Sequence, residues 1–136
     1  MDVPLIVAGS LAVLAAAVHG AGGEILVVRK LSPAALPPSR LGGPKLTMAM
    51  IHASWHMTTV AFLAAGIALL LSGTVVEGDA ARALAMPAAA AFTGFAAVAA
   101  VAVAANTRSL RPLFEHPGPA ILSATAALAW WGALGL

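Results

Sequence analysis

Four apolar stretches, at about residues 3–28, 46–71, 82–105 and 119–136, divide this chain and leave little of it outside them. A hydrocarbon core roughly 30 Å thick takes about 20 helical residues at 1.5 Å each, so each stretch predicts one transmembrane span. A lipid-exposed backbone must satisfy its own polar groups, which a helix does within each span. The expected fold is therefore all-α: an integral membrane four-helix bundle, antiparallel and up-down-up-down, forming a single transmembrane domain over residues 1–136. Composition agrees, because 61% of the residues are hydrophobic, 9% are charged and the mean hydropathy is +0.97, outside the range of a water-soluble domain. The first stretch opens on MDVP, with Asp2 and no basic residue ahead of a long apolar run. It is expected to remain as a span and not to be removed as a secretion signal.

The charges between the spans give a direction. Arg29, Lys30, Arg40 and Lys45 lie in the first connection and Arg108 and Arg111 in the third, whereas the second, SGTVVEGDAAR, carries Glu77, Asp79 and Arg82. By the positive-inside rule the first and third connections face the cytoplasm, and both termini face outward. Trp130 and Trp131 then fall in the outer interfacial belt, where indoles are favoured. The expected location is the bacterial cytoplasmic (inner) membrane. A net charge of +2 with no basic stripe gives no reason to expect nucleic acid. Membrane lipid, further copies of the chain or a larger membrane complex are the expected partners. The absence of cysteine excludes disulfides, thiolate metal sites, c-type haem attachment and cysteine nucleophiles.

The first connection, RKLSPAALPPSRLGGPK, holds Pro33, Pro37, Pro38 and Pro44 with Gly42 and Gly43, so neither a regular helix nor a strand should persist in it. It reads as a solvated hairpin loop, or as a flap over the cytoplasmic face. The third span is alanine-rich, and Gly94 follows Ala90 at the four-residue spacing that lets helix backbones approach closely. It carries no ionisable side chain beyond its first residues, so chemistry must come from the other spans and the loops.

Every histidine falls near a predicted cytoplasmic end. Counted inward at 1.5 Å per residue, Glu24 lies about 6 Å deep, His52 about 9 Å, His19 about 13 Å and His56 about 15 Å, with His116 at the rim. In MAMIHASWHMTT, His52 and His56 stand four apart and project from one helix face, the spacing that lets one metal ion take two nitrogen ligands from one helix. No glutamate stands between them in the HExxH position, so a zinc-peptidase reading has no support. The HxxxH spacing resembles that of membrane-bound hydroxylases and desaturases, which carry several more histidines than the four present here, and no residue role is taken from them. Ionisable groups within a span usually face the bundle interior and have partners, and Glu24 is the natural companion for a cation. Gly20, Gly22 and Gly23 crowd His19 and predict close helix contact, a bend, or room for a flat group such as haem.

Four readings follow. The leading one is a small membrane metalloprotein holding zinc or non-haem iron through His19, His52, His56, Glu24 and His116 near the cytoplasmic side. Glu24 or Glu115 would act as general base on a lipid-like or membrane-soluble substrate. The second is an electron-transfer subunit of a larger complex, either quinone-associated or binding haem b with His19 facing His52 or His56. Metal or proton transport is disfavoured, because polar side chains stop short of the outer half of the spans. The last is a structural or assembly subunit whose histidines only join helices. Trp55 reads most simply as a packing residue, and Met48, Met50 and Met57 as lipid-facing instead of copper-binding.

Overall fold

The computed structural model describes residues 1–36, 42–109, 111 and 117–135, all of them in helices or the turns that join them. Helix α1 spans Val3–Ala17, a π turn occupies Val18–Gly22, and α2 covers Gly23–Leu26. Two short 3₁₀ turns follow, Val28–Lys30 and Pro33–Ala35. Then come α3 (Gly43–Thr74), α4 (Gly78–Thr107) and α5 (Pro117–Gly135). Among the described residues there is no strand.

Three helical runs are long and apolar enough to cross a membrane: Val3–Lys30, Gly43–Thr74 and Gly78–Thr107, of 28, 32 and 30 residues. The first extends past its predicted span at its C-terminal end and the other two at both ends. The fourth stretch is also helical, as α5, but is not among these three. The proline-rich connection holds no long helix in its described part, where Ser32 accepts a hydrogen bond from the Ala34 amide and caps the second 3₁₀ turn. Pro37, Pro38 and Arg40 lie outside the described residues, so the flap expectation does too.

The chain divides into two compact units, Met1–Ala15 with Phe62–Leu136, and Ala16–Ala61. In the first, Asp2 starts α1 by accepting the Leu5 amide on Oδ1 at 2.9 Å, a side-chain N-cap. Its own amide donates to Gly73 O at 2.9 Å, so the beginning of α1 meets the end of α3. The two segments run antiparallel and touch through glycine. A Cβ on Gly9 would stand 2.9 Å from both Gly66 O and Leu70 N, and one on Gly66 would stand 3.1 Å from Val13 N. Gly132 of α5 lies under Leu5, Phe62 of α3 packs on Phe92 and Phe95 of α4, and the Trp130 indole of α5 donates to Thr93 Oγ1 of α4 at 3.0 Å. Small residues line this core, with Ala8, Ala12, Ala85, Ala89 and Ala129 buried around Leu5, Leu69 and Phe92. Lipid offers no hydrophobic drive for helix association, and close backbone approach supplies dispersion contact in its place.

Ala90 and Gly94 do not mark such an approach. Ala90 is exposed and a Cβ on Gly94 would meet open space. The expectation of close contact there is corrected to the Gly9, Gly66 and Gly73 crossing of α1 with α3. Gly94→Ala should accordingly be neutral or stabilise α4 by up to ~1 kcal/mol through helix propensity, read by denaturant titration in micelles.

Candidate functional site

Four of the residues singled out from the sequence, His19, Glu24, His52 and His56, belong to the second unit. Its local shape begins with the π turn. The Gly23 amide, which would bond to His19 O in an α-helix, bonds instead to Val18 O and Gly20 O. The His19 carbonyl is compensated from α3, where the Trp55 indole N–H donates to it at 2.9 Å. Glycine makes room for this exchange. A Cβ on Gly23 would fall 2.8 Å from indole Cε2, and one on Gly20 would fall 2.7 Å from Thr59 Cγ2.

His19 is held on the same platform. Its ring stacks on Trp55 with centroids 4.3 Å apart and planes 12° from parallel. Its Nδ1 lies 2.9 Å from Thr59 Oγ1, whose own proton goes to Trp55 O at 3.3 Å, so the bonding assigns the ring proton to Nδ1. The flat group admitted by the glycines is thus an indole of the same unit, set directly against His19.

Glu24 forms a second centre. Oε1 accepts from Arg29 Nε at 3.2 Å, and Oε2 stands 3.3 Å from His56 Nε2. The carboxylate side chain is 19% exposed, against 70% for Arg29 and 51% for His56, so the sheltered anion sits between two more open partners. The contact with His56 lies within ion-pair range but lacks hydrogen-bond geometry, and buried Oε2 has no hydrogen-bond partner. Nε2 of His52, one turn earlier on α3, is also buried without one. Among the described residues these two atoms are the side-chain polar atoms left in that state, and both belong to the ligand set expected from the sequence.

The separation of Oε2 from Nε2 has a chemical meaning. Two donors about 2.0–2.1 Å from one tetrahedral ion stand about 3.3 Å from each other. Unsatisfied buried groups of this kind are one mark of a missing ion or water. The structure therefore brings together Glu24 and His56, with His52 on the same helix face, while His19 is engaged by Trp55 and Thr59. Among the described residues no three His, Asp or Glu side chains converge as one metal ion needs. Glu115 and His116 lie outside the described residues.

Beside the stacked pair, His19, Thr47, Met50, Ile51, Ser54, Trp55 and Thr58 line an open groove of about 420 Å³. Its threonine hydroxyls bond to carbonyls four residues back, Thr47 to Gly43 O and Thr58 to Ser54 O. Met50 and Met57 are largely exposed, in keeping with a lipid-facing surface. Sequence reasoning did not single out Thr59 or Arg29 as functional and read Trp55 most simply as a packing or interfacial residue and not as a stacking platform. The glycine cluster was the signal for Trp55; Arg29 had none, because its contact depends on a break in the helix.

No family model matches the chain, and comparison with curated proteins and with solved structures finds no match.

Proposed function

We propose that this chain is a small integral membrane metalloprotein whose cation, zinc or non-haem iron, is held by Glu24 and His56. The observation that carries the reading is the 3.3 Å separation of Glu24 Oε2 from His56 Nε2 without a hydrogen bond. It suits two donors of one tetrahedral ion better than a direct pair. His52, Glu115 and His116 are the other candidate donors that the sequence offers. His19 supports the site from the side, on Trp55 and Thr59.

The reading includes an architecture. Contacts of α1 with α3 and α5, of α3 with α4, and of α4 with α5 support a closed antiparallel four-helix bundle. The basic first and third connections support a cytoplasmic face for this site and outward termini, in a bacterial inner membrane. A bound cation would supply Lewis-acid activation of water or of a lipid-like substrate's oxygen. The chain's own part is to hold that ion with two donor types, to keep Glu24 sheltered, and to present lipid-facing apolar residues such as Met57 and Val60 around it.

Elemental analysis of detergent-purified protein tests this, with about one equivalent of zinc or iron expected. His56→Ala and Glu24→Gln should each weaken binding by more than about 100-fold, since even outer-shell partners of metal ligands are worth about 10- to 100-fold. His116→Ala should cost less. A second reading, an assembly subunit whose polar cluster only joins helices, is favoured by the continuous Arg29, Glu24 and His56 chain. It predicts no bound metal and variants that lose stability alone.

A further inference from the structure

The second unit holds more positive charge than its own residues neutralise. Between Ala16 and Ala61 stand four basic residues, Arg29, Lys30, Arg40 and Lys45, and one acid, Glu24, which already accepts from Arg29. Among the described residues Lys30 and Lys45 have no ion pair, and both are exposed. Lys45 lines a groove of about 450 Å³ that Pro33 and Ala34 of the second 3₁₀ turn share with Gly42, Gly43 and Pro44 at the start of α3. The groove beside Trp55 lies further along the same side of that helix. At 100° per residue, Gly43 and Pro44 of the first groove and Thr47, Ile51, Ser54 and Thr58 of the second fall within a sector of about 100°. From Thr47 to Thr58 the second groove follows the helix for about 16 Å, close to half of a hydrocarbon core about 30 Å thick.

We propose that this side of α3 binds one diacyl phospholipid of net negative charge, its headgroup at Lys45 and Lys30 and an acyl chain along Met50, Ile51 and Trp55. The inference does not depend on the metal reading. The lysines select the headgroup by charge. A choline or ethanolamine headgroup brings its own cation to the phosphate, whereas a glycerol headgroup does not and leaves a net charge for the protein to neutralise. A basic residue at the membrane surface favours anionic lipid by up to about fivefold, so two lysines act together. The second groove selects a whole lipid over a free phosphate. Its depth is that of one leaflet, it opens to the membrane, and it offers methionine, isoleucine and indole surface to a chain. Its threonine hydroxyls return their protons to the helix backbone, so they make no demand for a polar occupant.

The test is quenching of tryptophan fluorescence in the detergent-purified full chain as phospholipid with brominated acyl chains is added to nonionic micelles, phosphatidylglycerol being compared with phosphatidylcholine. Trp55 lines the groove, while Trp130 and Trp131 give a background common to both lipids. Wild type should reach half-quenching at a phosphatidylglycerol fraction about tenfold below that for phosphatidylcholine, a preference that added salt reduces. Lys45→Gln should lose about threefold of it, Lys30→Gln combined with Lys45→Gln nearly all, and Lys45→Arg little. Arg82→Gln, which removes the same charge from α4, should leave it unchanged. Ser54→Phe, which fills the groove, should raise the half-quenching fraction for phosphatidylglycerol. Equal half-quenching by the two lipids in wild type overturns the proposal, as does a preference that survives the double substitution or falls equally in Arg82→Gln. Displacement by glycerophosphoglycerol at the concentration of the lipid would mark a site for free phosphate. A Ser54→Phe protein that binds lipid as wild type does but changes its oligomeric state would assign the groove to a second copy. Either result overturns the proposal.

Discussion

Gly9→Leu should abolish the folded state of the unit formed by residues 1–15 and 62–136. At Gly9 even a methyl group would come 2.9 Å from a carbonyl oxygen and an amide nitrogen of α3, and backbone atoms cannot swing aside as a side chain can. Overpacking a well-filled core costs about 1–3 kcal/mol when side chains can adjust, so an isobutyl group against fixed backbone should exceed the upper figure. The crossing is also shared: Gly66 and Gly73 of α3 meet the α1 backbone at Val13 N and Asp2 O, each 3.1 Å from the place of a Cβ. Forcing the helices apart at Gly9 would undo all three contacts and the Asp2 to Gly73 hydrogen bond. Unfolding in mixed micelles with increasing SDS, followed by far-ultraviolet circular dichroism, reads the effect. A Gly9→Leu protein that unfolds at the wild-type SDS fraction would show that α1 and α3 do not meet backbone to backbone.

The second large effect concerns Trp55. Its indole satisfies a carbonyl freed by the π turn, stacks on His19 and fills the space over Gly23. Trp55→Ala removes all three at once and leaves His19 O without its donor in an apolar medium. A fully buried tryptophan truncated to alanine costs about 3–5 kcal/mol, and the partial exposure of Trp55 lowers the expected loss to about 2–3 kcal/mol. Trp55→Phe separates the contributions, because it keeps an aromatic face and drops the N–H, at a cost of about 1–2 kcal/mol. The same SDS titration measures both variants. Equal losses in Trp55→Phe and Trp55→Ala would assign the whole effect to the hydrogen bond, and no loss in either would remove the stack as a structural element.

Much of this molecule was legible in its sequence. Apolar length predicts four spans, and three of them stand in the structure as long membrane-capable helices while the fourth stretch is the helix α5, because hydropathy is a property of each segment by itself. The four-residue spacing of His52 and His56 places both on one helix face, and Glu24 stands 3.3 Å from His56. The failures share a cause, dependence on helix phase and on which neighbour arrives. Depth in a span says nothing about direction, so the stacking of the His19 ring on Trp55 was not foreseeable. Ala90 and Gly94 have the right spacing, yet Ala90 is exposed and Gly94 faces open space among the described residues, while Gly66 and Gly73, seven apart on α3, mark the crossing. Arg29 is invisible to any periodic reading, since its contact exists only because the helix stops at Val27.

The π turn has one more consequence, and it concerns counting. At 3.6 residues per turn, the buried face that includes Ala16 would continue through positions near 23 and 27. A π turn takes in one additional residue, which shifts that face to Glu24, whose side chain is 19% exposed. The number of residues between Ala17 and Gly23, independent of their identity, thus decides whether the carboxylate looks inward or out towards acyl chains. In this hairpin an acidic group is aimed by arithmetic in the backbone, several residues upstream of the acid itself.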